Sequence, residues 1–329
     1  MPTNYHLQQT LQSSHAAVFC LAITEKGNFL ASGGSWGDTT AMIWIRREDD
    51  SDEVLMYGTL NGYMACWKQA KNTTDFKELY VLRMVHRVDG NMQLHGIFLV
   101  TINSFDPKAI HFHVNGNSRD VVVFGCHNGK IYFLRGADGN IMESIDTGGM
   151  ICPRGNTAMD CEKDVFCLDD PAQGVALYRL SDGVRVKTFP IEATKVPRPR
   201  QVAFAKNCRV IVSGSDHSIV YVFERRDSNV HQLDTGMEDH IQTVTAANID
   251  GISTVIAAHS RDIGKPSRIF IWMNSECPGI CSNFAPKVKT HPIFWGIQHV
   301  QKQVEGEKRI DTVLQHRGDW DLVPVIVKA

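Results

Sequence analysis

The sequence predicts an all-β chain folded as a β-propeller of four-stranded antiparallel blades. Short apolar alternations bounded by Gly, Asn and Asp follow one another along most of the chain, and aromatic strand endings recur among them. No helical pattern interrupts these alternations before about residue 290. With 329 residues, of which 43% are hydrophobic, the chain has enough apolar material for one large core.

The clearest repeat unit lies near the start of the sequence. An apolar alternation begins at Val18, a turn follows at Gly27, and a strand of small residues runs from Phe29 to Gly33. A second turn and the closing aromatic Trp44 complete the unit. This order of strands and turns is typical of one propeller blade.

The repeat is most regular in the second half of the sequence. The strand-ending residues Leu134, Tyr178, Phe223 and Trp272 recur about every 45 residues, which is the usual length of a four-stranded blade. For the blade that carries Phe223, the four predicted strands are 200–205, 209–214, 219–224 and 230–234.

The first half departs from this spacing. Trp44 and Trp67 lie roughly half a blade apart, and Trp67 and Leu134 lie about one and a half blades apart. We therefore expect irregular blades over 45–110 and a total of about five to seven blades. Missing strands would leave hydrogen-bonding edges open within the ring.

The two ends of the sequence complete this prediction. Residues 5–11 alternate like an outer strand, so we expect the N-terminal strand to join the last blade and close the ring. The propeller then covers 1–273, and 274–329 form a C-terminal appendix. This appendix is predicted to be partly helical, from the spacing of Ile293 to Val304, or disordered, with a strand over 321–328.

Composition and charge exclude several function classes. A formal net charge of −2 provides no electrostatic surface for nucleic acid, and no apolar run is long enough to span a membrane. The N-terminal residues are too polar for a secretory signal. Nine cysteines, an odd number, then favour reduced thiols and an intracellular location, cytoplasmic or nuclear.

These residues resemble the WD-repeat family of β-propellers, and in particular poorly characterised fungal members. In that family a His before the first strand, a Ser or Thr on the second, an Asp in the tight turn and a Trp on the third form a hydrogen-bonded set. No repeat here ends in Trp-Asp. The matching residues are His15, Ser32, Asp38 and Trp44 in the first blade, Ser213 and Asp216 in the blade of Phe223, and His240, Asp262 and Trp272 in the last blade.

The resemblance implies a non-catalytic platform that binds other proteins and needs no cofactor. His15, Ser32 and Asp38 also have the residue types of a hydrolytic triad, but mutual hydrogen bonding within a blade explains them without catalysis. Candidate partner contacts are Trp36, Arg198 and Arg200, because Trp and Arg are frequent interface anchors. Arg198 and Arg200 lie in a Pro-stiffened basic loop, and a solvated linker is the simpler explanation of that loop.

Three alternatives stay open. Residues 121–139 are similar to the repeat of pyrroloquinoline-quinone dehydrogenases, which implies a quinone-dependent enzyme. The irregular first half is also compatible with a decayed repeat protein that has no stable closed ring. Finally, a weak zinc site in the appendix has four candidate ligands, which are Cys277, Cys281, His291 and His299.

Overall fold

The computed structural model describes residues 5–12, 17–27, 29–34, 39–46, 53–59, 63–69, 76–83, 107–115, 118–125, 129–147, 156–170, 172–192, 198, 200–227, 229–237, 239–249, 251–259, 267–274, 290–291 and 325–328. These residues form strands and turns, and they contain no helix. Accordingly, no helix long and apolar enough to cross a membrane occurs among them.

Twenty-four strands follow one another along these ranges. In chain order they are β1 (Tyr5–Gln12), β2 (Val18–Ile23), β3 (Phe29–Gly34), β4 (Thr39–Arg46), β5 (Glu53–Thr59), β6 (Tyr63–Gln69), β7 (Phe76–Arg83), β8 (Pro107–Asn115), β9 (Ser118–Gly125), β10 (Lys130–Leu134), β11 (Ile141–Asp146), β12 (Thr157–Asp160), β13 (Val165–Asp170), β14 (Gly174–Arg179), β15 (Arg185–Pro190), β16 (Val202–Ala205), β17 (Val210–Ser213), β18 (Ile219–Glu224), β19 (Val230–Asp234), β20 (Ile241–Ile249), β21 (Ile252–His259), β22 (Arg268–Asn274), β23 (Thr290–His291) and β24 (Val325–Lys328).

Five sheets are propeller blades of four antiparallel strands. Four of them consist of consecutive strands, namely β4–β7, β8–β11, β12–β15 and β16–β19. The fifth contains β20, β21 and β22 and takes β1 as its outer strand, in the order β1-β22-β21-β20. The predicted fold class is therefore confirmed, including the addition of the N-terminal strand to the last blade. The strands β16 to β19 also lie within the four ranges predicted for the blade of Phe223.

A sixth sheet combines two distant parts of the chain. Its order is β2-β3-β24-β23, and β24 pairs antiparallel with β3. The strand β24 falls inside the predicted strand over 321–328, whereas the predicted helix from Ile293 lies outside the described residues. The domain boundary after residue 273 stays a prediction.

The chain divides into two compact units. Unit 1 comprises Met1–Leu11, Val85–Ser260 and Arg268–Cys281, and it contains the four blades built from β8 to β22 and β1. Unit 2 comprises Gln12–Met84, Arg261–Ser267 and Ser282–Ala329, and it contains the blade β4–β7 and the sixth sheet.

The core of unit 1 lies between successive blades. Blades β16–β19 and β20–β22 pack through Val212, Val222 and Trp272, among others. Blade β12–β15 packs against blade β8–β11 with one face and against blade β16–β19 with the other. Because both faces are covered, β13 and β14 are buried at almost every position, and each contains a continuous apolar run, 165–168 in β13 and 175–178 in β14.

The core of unit 2 is dominated by aromatic side chains. Trp67 on β6 is only 1% exposed and packs with Leu55 and Phe76 of the same blade. Phe29 of β3 meets the ring of Phe76 edge-on, with the ring centroids 5.3 Å apart. This contact joins the sixth sheet to the blade β4–β7 within the unit.

The short spacing between Trp44 and Trp67 has a simple structural cause. Trp44 lies on β4 and Trp67 on β6, which are the first and third strands of one blade. The expectation that Trp44 ends the third strand of the first blade is corrected accordingly. Trp44 still contacts the earlier strand β2, because its indole Nε1 donates a hydrogen bond to the carbonyl oxygen of Ala22 at 3.1 Å.

Candidate interaction surface

In unit 1, a group of loops lies at one end of three successive blades. They join β13 to β14, β15 to β16, β17 to β18 and β19 to β20, and we call them, with the end of β21, the loop network. Backbone hydrogen bonds of 2.7 Å tie neighbouring members together, from Gln201 N to Gln242 O and from Ile241 N to Ser215 O. The loops are therefore held to one another as well as to their own strands.

Close backbone packing at Gly214 sets the position of one loop. A Cβ at this residue would lie 2.0 Å from the carbonyl oxygen of Ile241 in the next blade, so only glycine fits there. In the same loop the hydroxyl of Ser215 accepts hydrogen bonds from the backbone N–H of His217 and of Ile219, at 3.3 and 3.0 Å. The turn before β18 is thus shaped by its own side chains.

The innermost members of the network are Arg200 and Asp169, whose side chains are 1% and 0% exposed. Nε of Arg200 donates to Oδ1 of Asp169 at 2.8 Å, and the backbone N–H of Arg200 donates to Oδ2, also at 2.8 Å. Nη2 adds a bond of 3.0 Å to the carbonyl oxygen of Asp170. Burial raises the pKa of Asp169 to about 6, although the Arg200 cation acts to lower it. The carboxylate is therefore ionised at neutral pH.

This geometry corrects the expectation that Arg200 contacts a partner. Its guanidinium is enclosed, and it is held by a carboxylate and a backbone carbonyl. Arg200 therefore connects blade β12–β15 to the loop that leads into β16, and it has a structural role.

Arg198, two residues earlier, is exposed and belongs to the outer part of the network. Its Nη1 lies 2.9 Å from Nδ1 of His240, and its backbone N–H donates to Oδ2 of Asp216 at 3.4 Å. A guanidinium has only donors, so Nδ1 of His240 accepts this bond. Burial, and then the Arg198 cation, lower the pKa of His240, which keeps the imidazole neutral at neutral pH.

A further polar cluster surrounds His259, whose side chain is fully buried. Nδ1 of His259 lies 3.5 Å from Oδ2 of Asp239, and Nε2 lies 3.3 Å from Oγ1 of Thr235. This carboxylate–imidazole–hydroxyl line has the order of a hydrolytic triad. However, the Thr235 hydroxyl donates its proton to the carbonyl oxygen of Ser218 at 3.0 Å. With this proton committed to a backbone carbonyl and the imidazole enclosed, the Thr235 hydroxyl is not placed to act as a nucleophile on a substrate.

Of the other predicted repeat residues, three are described by the structure, each on a different strand. Ser32 is buried on β3, and Ser213 is buried on β17, where its hydroxyl donates to the carbonyl oxygen of Gly214 at 3.1 Å. Trp272 is buried on β22 and stacks on Phe270, with ring centroids 5.6 Å apart. His15, Trp36, Asp38 and Asp262 lie outside the described residues.

The weak zinc candidates also fall largely beyond the described ranges. Cys277, Cys281 and His299 lie outside them, and only the backbone of His291 is described, on β23. Among the side chains that the structure does describe, no three His, Cys, Asp or Glu residues come together as a metal site.

Comparison with known proteins supports the fold at one end of the chain. Residues 6–44 match the family model described as WD domain, G-beta repeat. This segment contains most of β1, all of β2 and β3, and β4 as far as Trp44. No curated protein matches the sequence. This match and the four-stranded antiparallel blades together support a WD-repeat β-propeller.

Proposed function

We propose that this protein is a non-catalytic interaction platform that binds another protein through the loop network of unit 1. WD-repeat propellers are generally non-catalytic and generally have protein partners, and the fold is consistent with that role. The observation that supports the proposal most directly is that hydrogen bonds between the loops hold them in place. Loops held in place before binding lose little entropy when a partner docks, which favours affinity.

Arg198 is the residue that we propose as the partner contact. Its exposed guanidinium is positioned by the neutral imidazole of His240, and a guanidinium has five donors in all. Donors that are not used for His240 suit a carboxylate on the partner, since Arg–carboxylate hydrogen bonds are among the strongest in proteins. The proposed partner therefore carries an Asp or Glu at the point of contact.

The test compares three versions of the full chain as bait for quantitative affinity capture. They are the unaltered chain, Arg198→Glu, and the control Arg179→Glu. Arg179 is also exposed and paired, but it lies at the end of β14, outside the loop network. Matching thermal unfolding curves would show that all three baits are folded.

We expect proteins enriched by the unaltered chain to be retained by Arg179→Glu and reduced at least tenfold by Arg198→Glu. Equal enrichment by all three baits would contradict the proposed contact. A quinone or metal bound in stoichiometric amount to the purified chain would contradict the non-catalytic assignment and favour the quinone-enzyme alternative.

We also propose a cytoplasmic or nuclear location. Cys20, Cys167 and Cys208 pack as small apolar side chains inside the two units, each less than 5% exposed. Such placement suits a compartment in which thiols stay reduced. Fluorescence microscopy of the tagged full chain tests this proposal, and signal in the secretory pathway would contradict it.

A further inference from the structure

Arg198 and His240 place a permanent cation beside a titratable ring at the surface of the loop network. Arg198 is exposed and His240 is partly exposed, and they come from different loops, one before β16 and one before β20. Nη1 of Arg198 donates to Nδ1 of His240 at 2.9 Å. The proton of the neutral imidazole is therefore on Nε2, and Nδ1 is the atom that would take a second proton.

The charged groups that act on the His240 imidazole come from three loops of the network. Arg198 precedes β16, Asp216 lies between β17 and β18, and Asp239 belongs to the loop before β20. Burial first, and then the Arg198 cation, lower the pKa of His240. The two carboxylates and a hydrogen bond with the Gln242 side chain act to raise it. The neutral state of His240 therefore depends in part on the charge of Arg198.

The two carboxylates also oppose an incoming anion. Oδ2 of Asp216 accepts the backbone N–H of Arg198 at 3.4 Å. Oδ2 of Asp239 lies 3.5 Å from Nδ1 of His259 at the end of β21. Of the charged groups that act on His240, one is thus positive and two are negative. A carboxylate brought by a partner is repelled by both acids, and a proton on His240 would add a second positive charge that offsets this repulsion.

A carboxylate bound to Arg198 would favour that proton. It neutralises the cation that lowers the pKa of His240, and its own charge stabilises the imidazolium. Protonation removes Nδ1 as an acceptor for Arg198, but the new N–H is a further donor beside the guanidinium. A carboxylate has two oxygens and can accept charge-assisted hydrogen bonds from both cations. Occupation of the site and protonation of His240 therefore strengthen each other.

We propose that Arg198 and His240 together form a carboxylate-binding site that takes up one proton when an Asp or Glu of the partner occupies it. The proton comes from solvent and forms an N–H bond at Nδ1 of His240, while the partner's carboxylate stays ionised. This site rests on the proposed function, because it assigns His240 as the second donor of the Arg198 contact.

Proton uptake gives the contact a pH dependence of known sign. In the empty site His240 protonates only below its ordinary pKa of about 6.5, and in the occupied site it protonates at a higher pH. Between these two pKa values the occupied site binds more protons than the empty one. The partner is therefore bound more tightly as the pH falls from about 7.5 to about 6.

The first test measures the pKa of His240 in the full chain by NMR, from the pH dependence of its ring carbon Cε1. The variant His240→Gln assigns this signal by its loss. The probe is N-acetylglutamate amide, which carries one carboxylate, and its control is N-acetylglutamine amide, which has nearly the same shape without the charge. The chain control is Arg198→Gln, which removes the guanidinium, and circular dichroism confirms that each chain is folded.

We expect the glutamate probe to raise the pKa of His240 in the unaltered chain by about 0.5–1, and the glutamine probe to leave it unchanged. In Arg198→Gln the pKa of His240 should be higher at the outset, because the cation that lowers it is gone, and the glutamate probe should not change it. Absence of a rise in the unaltered chain, or an equal rise with both probes, overturns the proposal.

The second test repeats the affinity capture at pH 7.5 and at pH 6.0. The baits are the unaltered chain, His240→Gln, whose amide does not titrate, and His231→Gln, which changes a histidine of β19 outside the loop network. We expect enrichment of the partner to be roughly threefold to tenfold greater at pH 6.0 for the unaltered chain and for His231→Gln. Enrichment by His240→Gln should be equal at the two pH values. An equal rise for all three baits, or no rise for any of them, overturns the proton uptake at His240.

The proposed function and the proton-coupled site fail in different ways. If Arg198→Glu retains the captured proteins at pH 7.5, the Arg198 contact itself is wrong. If Arg198→Glu loses them but the unaltered chain binds them equally at both pH values, the contact holds and only the proton-coupled site is overturned.

Discussion

Arg200 and Asp169 form a buried ion pair that connects two successive blades. Asp169 is at the end of β13, Arg200 precedes β16, and the guanidinium and the backbone N–H of Arg200 together contact both carboxylate oxygens. Burying two charges is costly unless each finds a partner in good geometry, and this pair meets that condition. The side chain of Arg200 is therefore held in the interior, whereas that of Arg198, two residues earlier, is exposed.

We expect Asp169→Asn to lower the free energy of unfolding by about 3–5 kcal/mol, because it leaves the Arg200 charge buried without a carboxylate. Urea unfolding followed by fluorescence measures the change. The control is Asp182→Asn, which breaks the exposed pair with Arg179 and should lower the free energy of unfolding far less, because solvent screens exposed pairs. The double change Asp169→Leu with Arg200→Met should cost less than the sum of the single changes. If Asp169→Asn and Asp182→Asn lowered the free energy of unfolding equally, the buried ion pair would contribute no more to stability than the exposed one.

We expect the free energy of unfolding to decrease as the pH falls from 7.5 to 5.5. The pKa of His240 is lowered in the folded state, chiefly by burial, and so is that of His111. Below a pH of about 6.5 the unfolded chain therefore binds protons that the folded chain does not, and stability falls. Urea midpoints at several pH values measure this slope.

The variants His240→Gln and His111→Gln should each flatten that slope relative to the unaltered chain. Asp169 acts in the opposite direction below about pH 6, because its folded pKa is raised to about 6. Comparing each variant with the unaltered chain at the same pH cancels the Asp169 contribution. A His240→Gln variant with an unchanged slope would indicate that the imidazole is protonated equally in both states.

We expect the described cysteines to differ strongly in their reaction with maleimide at pH 8. Burial raises the pKa of Cys20 and of Cys208 to about 12 and also raises that of Cys167, so these thiols are neither ionised nor accessible. Cys161 is partly exposed in the turn after β12. Peptide mapping by mass spectrometry should find Cys161 modified first.

The same labelling in urea provides the control, since all these thiols should react in the unfolded chain. Rapid labelling of Cys167 under native conditions would mean that the blade β12–β15 opens readily.

We expect Gly214→Ala to destabilise unit 1 by about 1–3 kcal/mol or more, because the added Cβ overlaps the carbonyl oxygen of Ile241. Gly236→Ala is the matched control. Gly236 has a φ of +66° but no atom within 4 Å of an added Cβ, so this change should cost only about 1 kcal/mol from backbone strain. Thermal unfolding of both variants tests the difference. If Gly236→Ala were the more damaging, backbone conformation and not the close contact would dominate.

Prediction from sequence succeeded where the signal was local. The strands β16 to β19 were predicted within a few residues, because apolar alternation and turn residues are read from neighbours along the chain. The exposure of the predicted partner contacts could not be predicted in the same way. Arg198 and Arg200 have the same residue type in the same loop, yet one is exposed and the other is enclosed. Nothing in the sequence around Asp169 marks it as the partner of Arg200, since that contact joins residues of different blades.

The sequence by itself determined that the chain is all-β, that its blades have four strands, and that the N-terminal strand joins the last blade. Periodicity and blade length are sufficient for the first two conclusions, because these follow from residues close together in the chain. The third follows from a strand-like N-terminus and a last blade that lacks its own outer strand. Only the tertiary structure decided which sheet receives Trp44, that β24 fills the edge of β3, and that Arg200 is buried. The physical reason is that strand pairing and ion pairing between distant segments depend on which groups the fold brings together. Backbone hydrogen bonds accept many sequences, so local residue types cannot specify such partners.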